Sequence, residues 1–212
     1  MLSSAIVLGP QRRDPIVREA IEDLVPGRNS SVAVITAGWE EREGEDEELR
    51  EHVNRPLINL KIWARVESIL EKDKELREAV RERHVTWRRV QEIYRLRLGG
   101  LLGSTKELLR RGDGDPLFAV EEQDSWELVR GLDAQHMARV ALIHADFAER
   151  IKPAERETVQ KERRELEKQL ADVSCLLVAG GHVGVLLHRM QLFDVCSLWG
   201  DRPTIAWSAG AM

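Results

Sequence analysis

Cysteine is scarce in this sequence of 212 residues, which contains only Cys175 and Cys196. Two cysteines cannot form the set of bridges that stabilises small secreted domains, and neither lies in a Cys-x-x-Cys or Cys/His spacing typical of a metal site. No group of carboxylates and histidines has ligand spacing either. The sequence therefore predicts a protein of a reducing compartment that uses no metal and no cofactor.

Long apolar runs are missing as well. The first run, residues 5–8, is too short for the apolar region of a signal peptide, and no basic residue precedes it. No other stretch approaches the ~18 consecutive apolar residues of a membrane-spanning helix. We therefore expect a cytoplasmic protein without a membrane partner.

Positive charge is not in excess, because the formal net charge is −5. A chain of this charge has no overall basic field to attract nucleic acid, so we expect no nucleic-acid partner. Arginine is abundant in residues 81–97. That stretch could contact a phosphate or an acidic partner, or it could be the solvated face of a helix.

The beginning of the chain has the pattern of a parallel α/β structure. Residues 5–8 and 32–36 are short apolar runs, typical of strands that are buried on both faces of a sheet. Between them, apolar residues recur at helical spacing over residues 16–24, and Asp14 before Pro15 indicates the start of that helix. This part of the sequence predicts strand, helix and strand.

The end of the chain repeats this pattern. Residues 173–179 form an apolar run that ends at Gly180 and Gly181, residues 183–190 predict a helix, and residues 203–207 predict another strand. We therefore predict an α/β protein with a parallel flavodoxin-like sheet.

The middle of the chain is different. Residues 40–170 are rich in charge and place apolar residues three and four positions apart, so we predict a large all-helical insertion. The predicted domains are residues 1–39, 40–170 and 171–212. Within the insertion, glycines at 99, 100 and 103 predict an interruption, Gly112–Pro116 predicts a loop, and Asp133 is a candidate helix start. Three tryptophans on helical apolar faces are predicted to be core, or alternatively a partner-binding face: Trp63, Trp87 and Trp126.

Ser208 stands where the last predicted strand ends among small residues. The local sequence Ala206-Trp207-Ser208-Ala209-Gly210 is close to Gly-x-Ser-x-Gly, the pattern of a nucleophile on a sharp turn between a strand and a helix. Such a turn lifts the hydroxyl above the sheet and directs the next backbone N–H, that of Ala209, toward a developing oxyanion. Ser208 is therefore a candidate nucleophile.

The pair Gly180-Gly181 ends the neighbouring predicted strand. Glycine lets backbone N–H groups approach a ligand without interference from a Cβ. In open α/β sheets, ligands bind at the carboxyl ends of the strands, where both motifs lie. Gly181 is therefore a candidate second oxyanion donor beside Ala209.

The segments Ala-Gly-Gly-His-Val-Gly-Val-Leu-Leu and Pro-Thr-Ile-Ala-Trp-Ser-Ala-Gly-Ala-Met resemble peptidase family S51, the group of dipeptidase E and cyanophycinase. The resemblance covers about residues 4–39 and 171–212. It implies a class I glutamine amidotransferase-like fold and hydrolysis of a peptide or related amide bond. It also implies that Ser208 is the nucleophile and that Gly181 and Ala209 form the oxyanion hole.

The sequence departs from the family in three places. Ala206 replaces a glycine, and His182 stands where the family has Asn or Asp, so His182 is a candidate base or substrate contact. In the family the catalytic histidine and its acidic partner follow the serine. Here four residues follow Ser208, so we expect these 212 residues to be a fragment truncated after the elbow.

Two other functions are compatible with the same fold. The first is a non-catalytic interaction protein that uses its helical insertion to bind a partner. The second is a glutamine amidotransferase-like domain, although serine in place of cysteine at the elbow counts against it. A bare sheet edge and the tryptophan-bearing helices also lead us to expect a homo-oligomer.

Overall fold

The computed structural model of the protein describes residues 4–27 and 30–211. The chain forms two compact units. We call Met1–Asp73 with Pro153–Met212 the sheet unit, and Lys74–Lys152 the hairpin unit. Met212, the last residue of the segment that resembles family S51, lies outside the described residues, as do residues 1–3 and 28–29 of the predicted first domain.

The sheet unit contains five parallel strands in the spatial order β1-β5-β4-β2-β3. They are β1 Ala5–Leu8, β2 Val32–Ile35, β3 Leu57–Asn59, β4 Cys175–Ala179 and β5 Thr204–Trp207. Ala179 pairs with Trp207, and Ile35 pairs with Val178. The carboxyl ends of β2, β4 and β5 therefore lie level at one edge of the sheet.

Four of the five strands were predicted, and the α/β class with a parallel sheet is confirmed. The prediction that residues 40–170 are all helical is wrong at β3, which lies inside that range and pairs with β2. β3 has only three residues, too few for an apolar pattern to distinguish it from its surroundings. The spatial order also separates β1 from β2, because β5 and β4 lie between them.

Helices cover the sheet and supply its core. Those of the sheet unit are α1 Val17–Leu24, α2 Glu47–Val53, α3 Ile62–Lys72, α6 Glu157–Ala171, α7 Val183–Phe193 and α8 Val195–Trp199. Every residue of β2 and β4 is buried. Ile21 of α1 and Val53 of α2 pack in one apolar cluster with Leu177 and Ile205 of the sheet. Strands covered in this way read as continuous apolar runs, which is why their sequences were informative.

Asp14 is not the N-cap of α1, contrary to prediction. The N-cap is Ile16, and its backbone N–H donates to Oε1 of Gln11 at 2.8 Å. The side-chain amide of Gln11 also donates to the carbonyl of Gly9 at 3.0 Å. A glutamine in the preceding loop therefore accepts the N–H that a capping aspartate was expected to take.

The hairpin unit consists of α4 Lys74–Arg111 and α5 Pro116–Ile151, joined by a short loop. Tyr94 contacts Asp133, whereas Arg83, earlier in α4, contacts Phe147, later in α5, so the helices are antiparallel. Asp115 caps α5, because its carboxylate accepts the N–H of Leu117 at 2.9 Å. The predicted loop before Pro116 is thus confirmed.

Other predictions for this region are wrong. The glycines at 99, 100 and 103 lie within α4 and do not interrupt it, and Asp133 lies inside α5 and not at its start. Packing along α5 offsets the cost of glycine in a helix, which is about 1 kcal/mol per residue. Trp126, predicted to be core, is 39% exposed. Among the described residues, no helix is long and apolar enough to cross a membrane.

Candidate active site

Ser208 occupies a sharp turn at the carboxyl end of β5. Its φ of 64° lies in the left-handed region, which non-glycine residues rarely adopt. The N–H of Ser208 donates to the carbonyl of Leu8 at 3.2 Å, and the N–H of Ala211 donates to the carbonyl of Ser208 at 3.0 Å. These two bonds hold the serine in the strained conformation that a nucleophile elbow requires.

The Ser208 side chain lies against the backbone of Gly180. A Cβ at position 180 would overlap the hydroxyl oxygen of Ser208 and would lie 3.0 Å from its Cβ. Only glycine fits here without displacing the serine. The ends of β4 and β5 are therefore in contact through these two residues, and the hydroxyl lies over the Gly180-Gly181 turn.

Gly181 and Gly210 are in equally close contact. Gly181 has a φ of 115°, and a Cβ at Gly210 would lie 2.5 Å from the nitrogen of Gly181. The structure thus brings together the predicted oxyanion residue Gly181 and the elbow that carries Ala209. Within residues 4–27 and 30–211, the N–H groups of Gly181 and Ala209 have no backbone acceptor.

Gly38 is a member of this site that was not predicted. It follows β2, and a Cβ there would lie 2.6 Å from the carbonyl oxygen of Gly180 and 3.1 Å from the nitrogen of His182. Its carbonyl accepts the N–H of His182 at 2.8 Å. A glycine three positions after a buried strand was its signal in the sequence. Gly38 belongs to the site only because β2 and β4 are neighbours in the sheet.

His182 lies at the start of α7, where its side chain is the N-cap. Its Nδ1 accepts the N–H of Val185 at 3.2 Å. An imidazole that accepts at Nδ1 while neutral carries its proton on Nε2, so it presents a donor to the solvent. Among the described residues, no imidazole forms a hydrogen bond with Ser208. The geometry of His182 therefore suits a substrate contact better than a base.

A buried polar network lies behind the carboxyl ends of β2 and β3. Asn59 donates to the carbonyl of Glu43 and to the carboxylate of Asp46, both at 2.9 Å, and Thr36 donates to the same carbonyl of Glu43 at 3.0 Å. The Glu43 carboxylate accepts the N–H groups of Trp63 and Ala64, both at 2.9 Å, and so caps α3. This network fixes the loop that carries Gly38.

The acids of this network differ in pKa. Burial raises the pKa of Glu43, although the N–H groups of Trp63 and Ala64 oppose that shift. Burial also acts to raise the pKa of Asp46, but hydrogen bonds from Arg50 and Asn59 outweigh it and leave the pKa lowered. Both acids have backbone or side-chain partners inside the network. We therefore assign them to holding the loop and not to the reaction at Ser208.

The two cysteines lie apart from this chemistry. Cys175 is buried in β4, and burial raises the pKa of its thiol to about 12. A thiol of that pKa carries almost no thiolate near neutral pH and is a poor nucleophile. Cys196 is exposed on α8. Among the described residues, no three His, Cys, Asp or Glu side chains are grouped closely enough to hold a metal ion.

Comparison of the chain with protein-family models, with curated protein sequences and with solved structures finds no significant match.

Proposed function

We propose that this protein is a serine hydrolase of the peptidase S51 type, which cleaves a peptide or related amide bond. The observation that carries the proposal is the left-handed backbone of Ser208, with its hydroxyl held over the Gly180-Gly181 turn. Strain of this kind is retained where the surrounding structure enforces it, and nucleophile elbows are such places. Six other non-glycine residues of the described chain also have a positive φ. The contact of the Ser208 side chain with Gly180 is what distinguishes Ser208 from them.

The topology supports the finer description of the fold. Numbered along the chain the order is 3-2-4-5-1, so four strands follow the flavodoxin-like order 2-1-3-4-5, and the fifth place is taken by the first strand of the chain. In such sheets ligands bind where successive connections leave to opposite sides. Here that point lies between β2 and β4, at Gly38 and Gly180. We place the substrate in the crevice above these residues.

The proposed reaction begins at the Ser208 hydroxyl. The Ser208 oxygen attacks the amide carbonyl carbon while its proton passes to a base, and the N–H groups of Gly181 and Ala209 bind the resulting oxyanion. The C–N bond then breaks, the leaving amine takes the proton, and water hydrolyses the acyl-enzyme. His182 contributes a donor at Nε2 to the substrate.

A fluorophosphonate probe tests the proposal, because it reacts with activated serines. We expect labelling of the folded chain, mapped to Ser208 by peptide mass analysis and abolished in Ser208→Ala. Ser197→Ala is a matched control, since Ser197 is exposed and its hydroxyl donates to Asp194 at 2.8 Å. An unlabelled but folded wild-type chain would overturn the catalytic proposal and favour the interaction protein.

The role of His182 is tested with the same probe. In His182→Asn the new side chain can still cap α7, since asparagine is a favourable N-cap. If His182 is a substrate contact, this variant keeps the maximal labelling rate and loses only affinity for the probe. If His182 is the base, labelling falls to the level of Ser208→Ala.

The interaction protein is the second candidate. It is favoured by the exposed apolar side chains of the hairpin unit, of which Leu96 is the most exposed at 79%. A binding function and a hydrolytic one can coexist in one chain. If Ser208 is not labelled and the chain still binds a partner, binding would be the function that remains.

A further inference from the structure

Glu40 has a backbone conformation that residues other than glycine rarely adopt. Its φ is 58° and its ψ is −127°. These angles match the first central position of a type II′ turn, where glycine predominates. Asn54, Lys152 and Asp194 also have a positive φ, but their ψ lies between 42° and 56°, in the left-handed region where helices commonly end. Glu40 is therefore strained in a way that these three residues are not.

The side chain of Glu40 does not account for this conformation. It is half-buried, and within residues 4–27 and 30–211 it forms no hydrogen bond and no ion pair. A glycine at this position could form the same turn without strain. Strained backbone persists where the surrounding structure over-determines it, and such places cluster at functional sites. The cause therefore lies in the groups that hold the backbone of Glu40.

Buried polar groups hold one side of the turn at Glu40. The carbonyl of Glu40 accepts the N–H of Glu43 at 2.9 Å. The carbonyl of Glu43 in turn accepts the hydroxyl of Thr36 at 3.0 Å and the side-chain amide of Asn59 at 2.9 Å. Thr36, Glu43 and Asn59 are all buried. Moving Glu43 would leave buried polar groups unpaired, which costs more than the hydrogen bonds alone are worth. These bonds therefore offset the strain at Glu40.

Gly38, on the other side of this turn, lies against the Gly180-Gly181 turn. The carbonyl of Gly38 accepts the N–H of His182 at 2.8 Å, and a Cβ at Gly181 would overlap the same carbonyl. Gly38 therefore fixes the peptide that joins Gly181 to His182. Only Trp39 separates Gly38 from Glu40, so the turn at Glu40 joins two anchored points: the buried network and the candidate oxyanion hole.

We infer that Glu40 is a positioning residue for the reaction at Ser208 and that it acts through its backbone. The turn at Glu40 holds Gly38, and Gly38 holds the oxyanion donor Gly181 in place. Such a role presupposes the proposed function. An oxyanion donor acts on charge that develops only in the transition state, so loosening it lowers the rate of reaction and leaves the affinity for the reactant unchanged.

Two substitutions at position 40 separate the backbone from the side chain. Glu40→Gly relieves the strain and lets the turn adopt other conformations, whereas Glu40→Ala removes the carboxylate and keeps the strained backbone. Glu40→Gly is therefore expected to unfold at a higher urea concentration than Glu40→Ala. At saturating fluorophosphonate, Glu40→Gly is expected to be labelled at Ser208 roughly tenfold more slowly than wild type, with an unchanged half-saturating concentration. Glu40→Ala is expected to keep the wild-type rate.

Glu41→Gly is the matched control, because Glu41 is the exposed neighbour and has an ordinary helical backbone. It is expected to lose stability and to keep the labelling rate. A merely structural role would lower stability and labelling together, so a slower rate in the more stable variant at position 40 is the distinguishing result. A wild-type rate in Glu40→Gly, or an equally slow Glu40→Ala, would overturn the role of Glu40 and leave the proposed function standing. A folded wild-type chain that is not labelled would overturn both.

Discussion

The Ser208 hydroxyl occupies the position that the Cβ of any larger residue at position 180 would take, because it lies against the Cα of Gly180. The two residues end neighbouring strands whose register makes Ala179 the partner of Trp207. A glycine of β4 and a serine of β5 are therefore one structural unit. A substitution at either residue therefore displaces the other.

Gly180→Ala is expected to slow fluorophosphonate labelling of Ser208 by at least roughly tenfold, because the added methyl displaces the hydroxyl from its productive geometry. The measurement is the labelling rate of protein shown to be folded by circular dichroism. Gly44→Ala is the control, since a Cβ there meets nothing within 4 Å. Equal rates for the two variants would contradict the proposed placement of the nucleophile.

Gly38→Ala is expected to destabilise the fold by about 1–3 kcal/mol, the usual cost of forcing atoms into a packed interior. The new Cβ would lie 2.6 Å from the carbonyl of Gly180, and neither backbone can move without disturbing the sheet. Urea unfolding measures the loss. Gly9→Ala has open space around it and should show little change. A variant as stable as wild type would show that β2 and β4 are not held together through Gly38.

Glu43→Ala is expected to cost about 1–3 kcal/mol, because the N–H groups of Trp63 and Ala64, which lie in a partly buried position, lose their acceptor. The variant should also change the pH dependence of stability. Burial raises the pKa of Glu43 above its unfolded value, so its contribution is full below that value and is lost as pH rises through the folded pKa. Urea unfolding across this acidic range should show that the free energy of unfolding of the wild type declines as pH rises. The decline should be smaller in Glu43→Ala. Parallel pH profiles would count against the assignment.

His144 is expected to make the hairpin unit sensitive to acid. Burial, together with the positive charge of Arg83, lowers the pKa of His144 below its ordinary value of 6.5. The unfolded chain then binds the proton more tightly, so stability is lost as pH falls below that value and through the lowered pKa. Thermal unfolding should show that His144→Gln loses less stability than the wild type between neutral and mildly acidic pH. His84→Gln, at an exposed position of α4, should retain the wild-type loss.

The cysteines are expected to react very differently. A maleimide at mildly alkaline pH should modify the exposed Cys196 and leave Cys175 unmodified, since burial raises the pKa of the Cys175 thiol to about 12. Both should react in denaturant. Mass analysis of the labelled peptides gives the ratio of modification at Cys196 to modification at Cys175. Modification of Cys175 in folded protein would mean that β4 opens far more readily than its burial indicates.

The sequence by itself determined the strands β1, β2, β4 and β5 and the turn at Ser208. Each strand is an apolar run that ends at glycine, proline or small residues, so the pattern is local. The small neighbours of Ser208 likewise predicted the turn that its φ of 64° shows. Local patterns failed where long-range packing overrides them. α4 continues through three glycines because α5 supports it, and β3 is too short to have a pattern.

Tertiary structure alone decided which of these local elements meet. The site joins Gly38, Gly180 and Gly210, which are distant in sequence and come together only because β2, β4 and β5 are adjacent in the sheet. The same is true of the network of Thr36, Glu43 and Asn59. Strand order and helix pairing depend on how apolar surface is shared between distant segments, and no single segment specifies that choice.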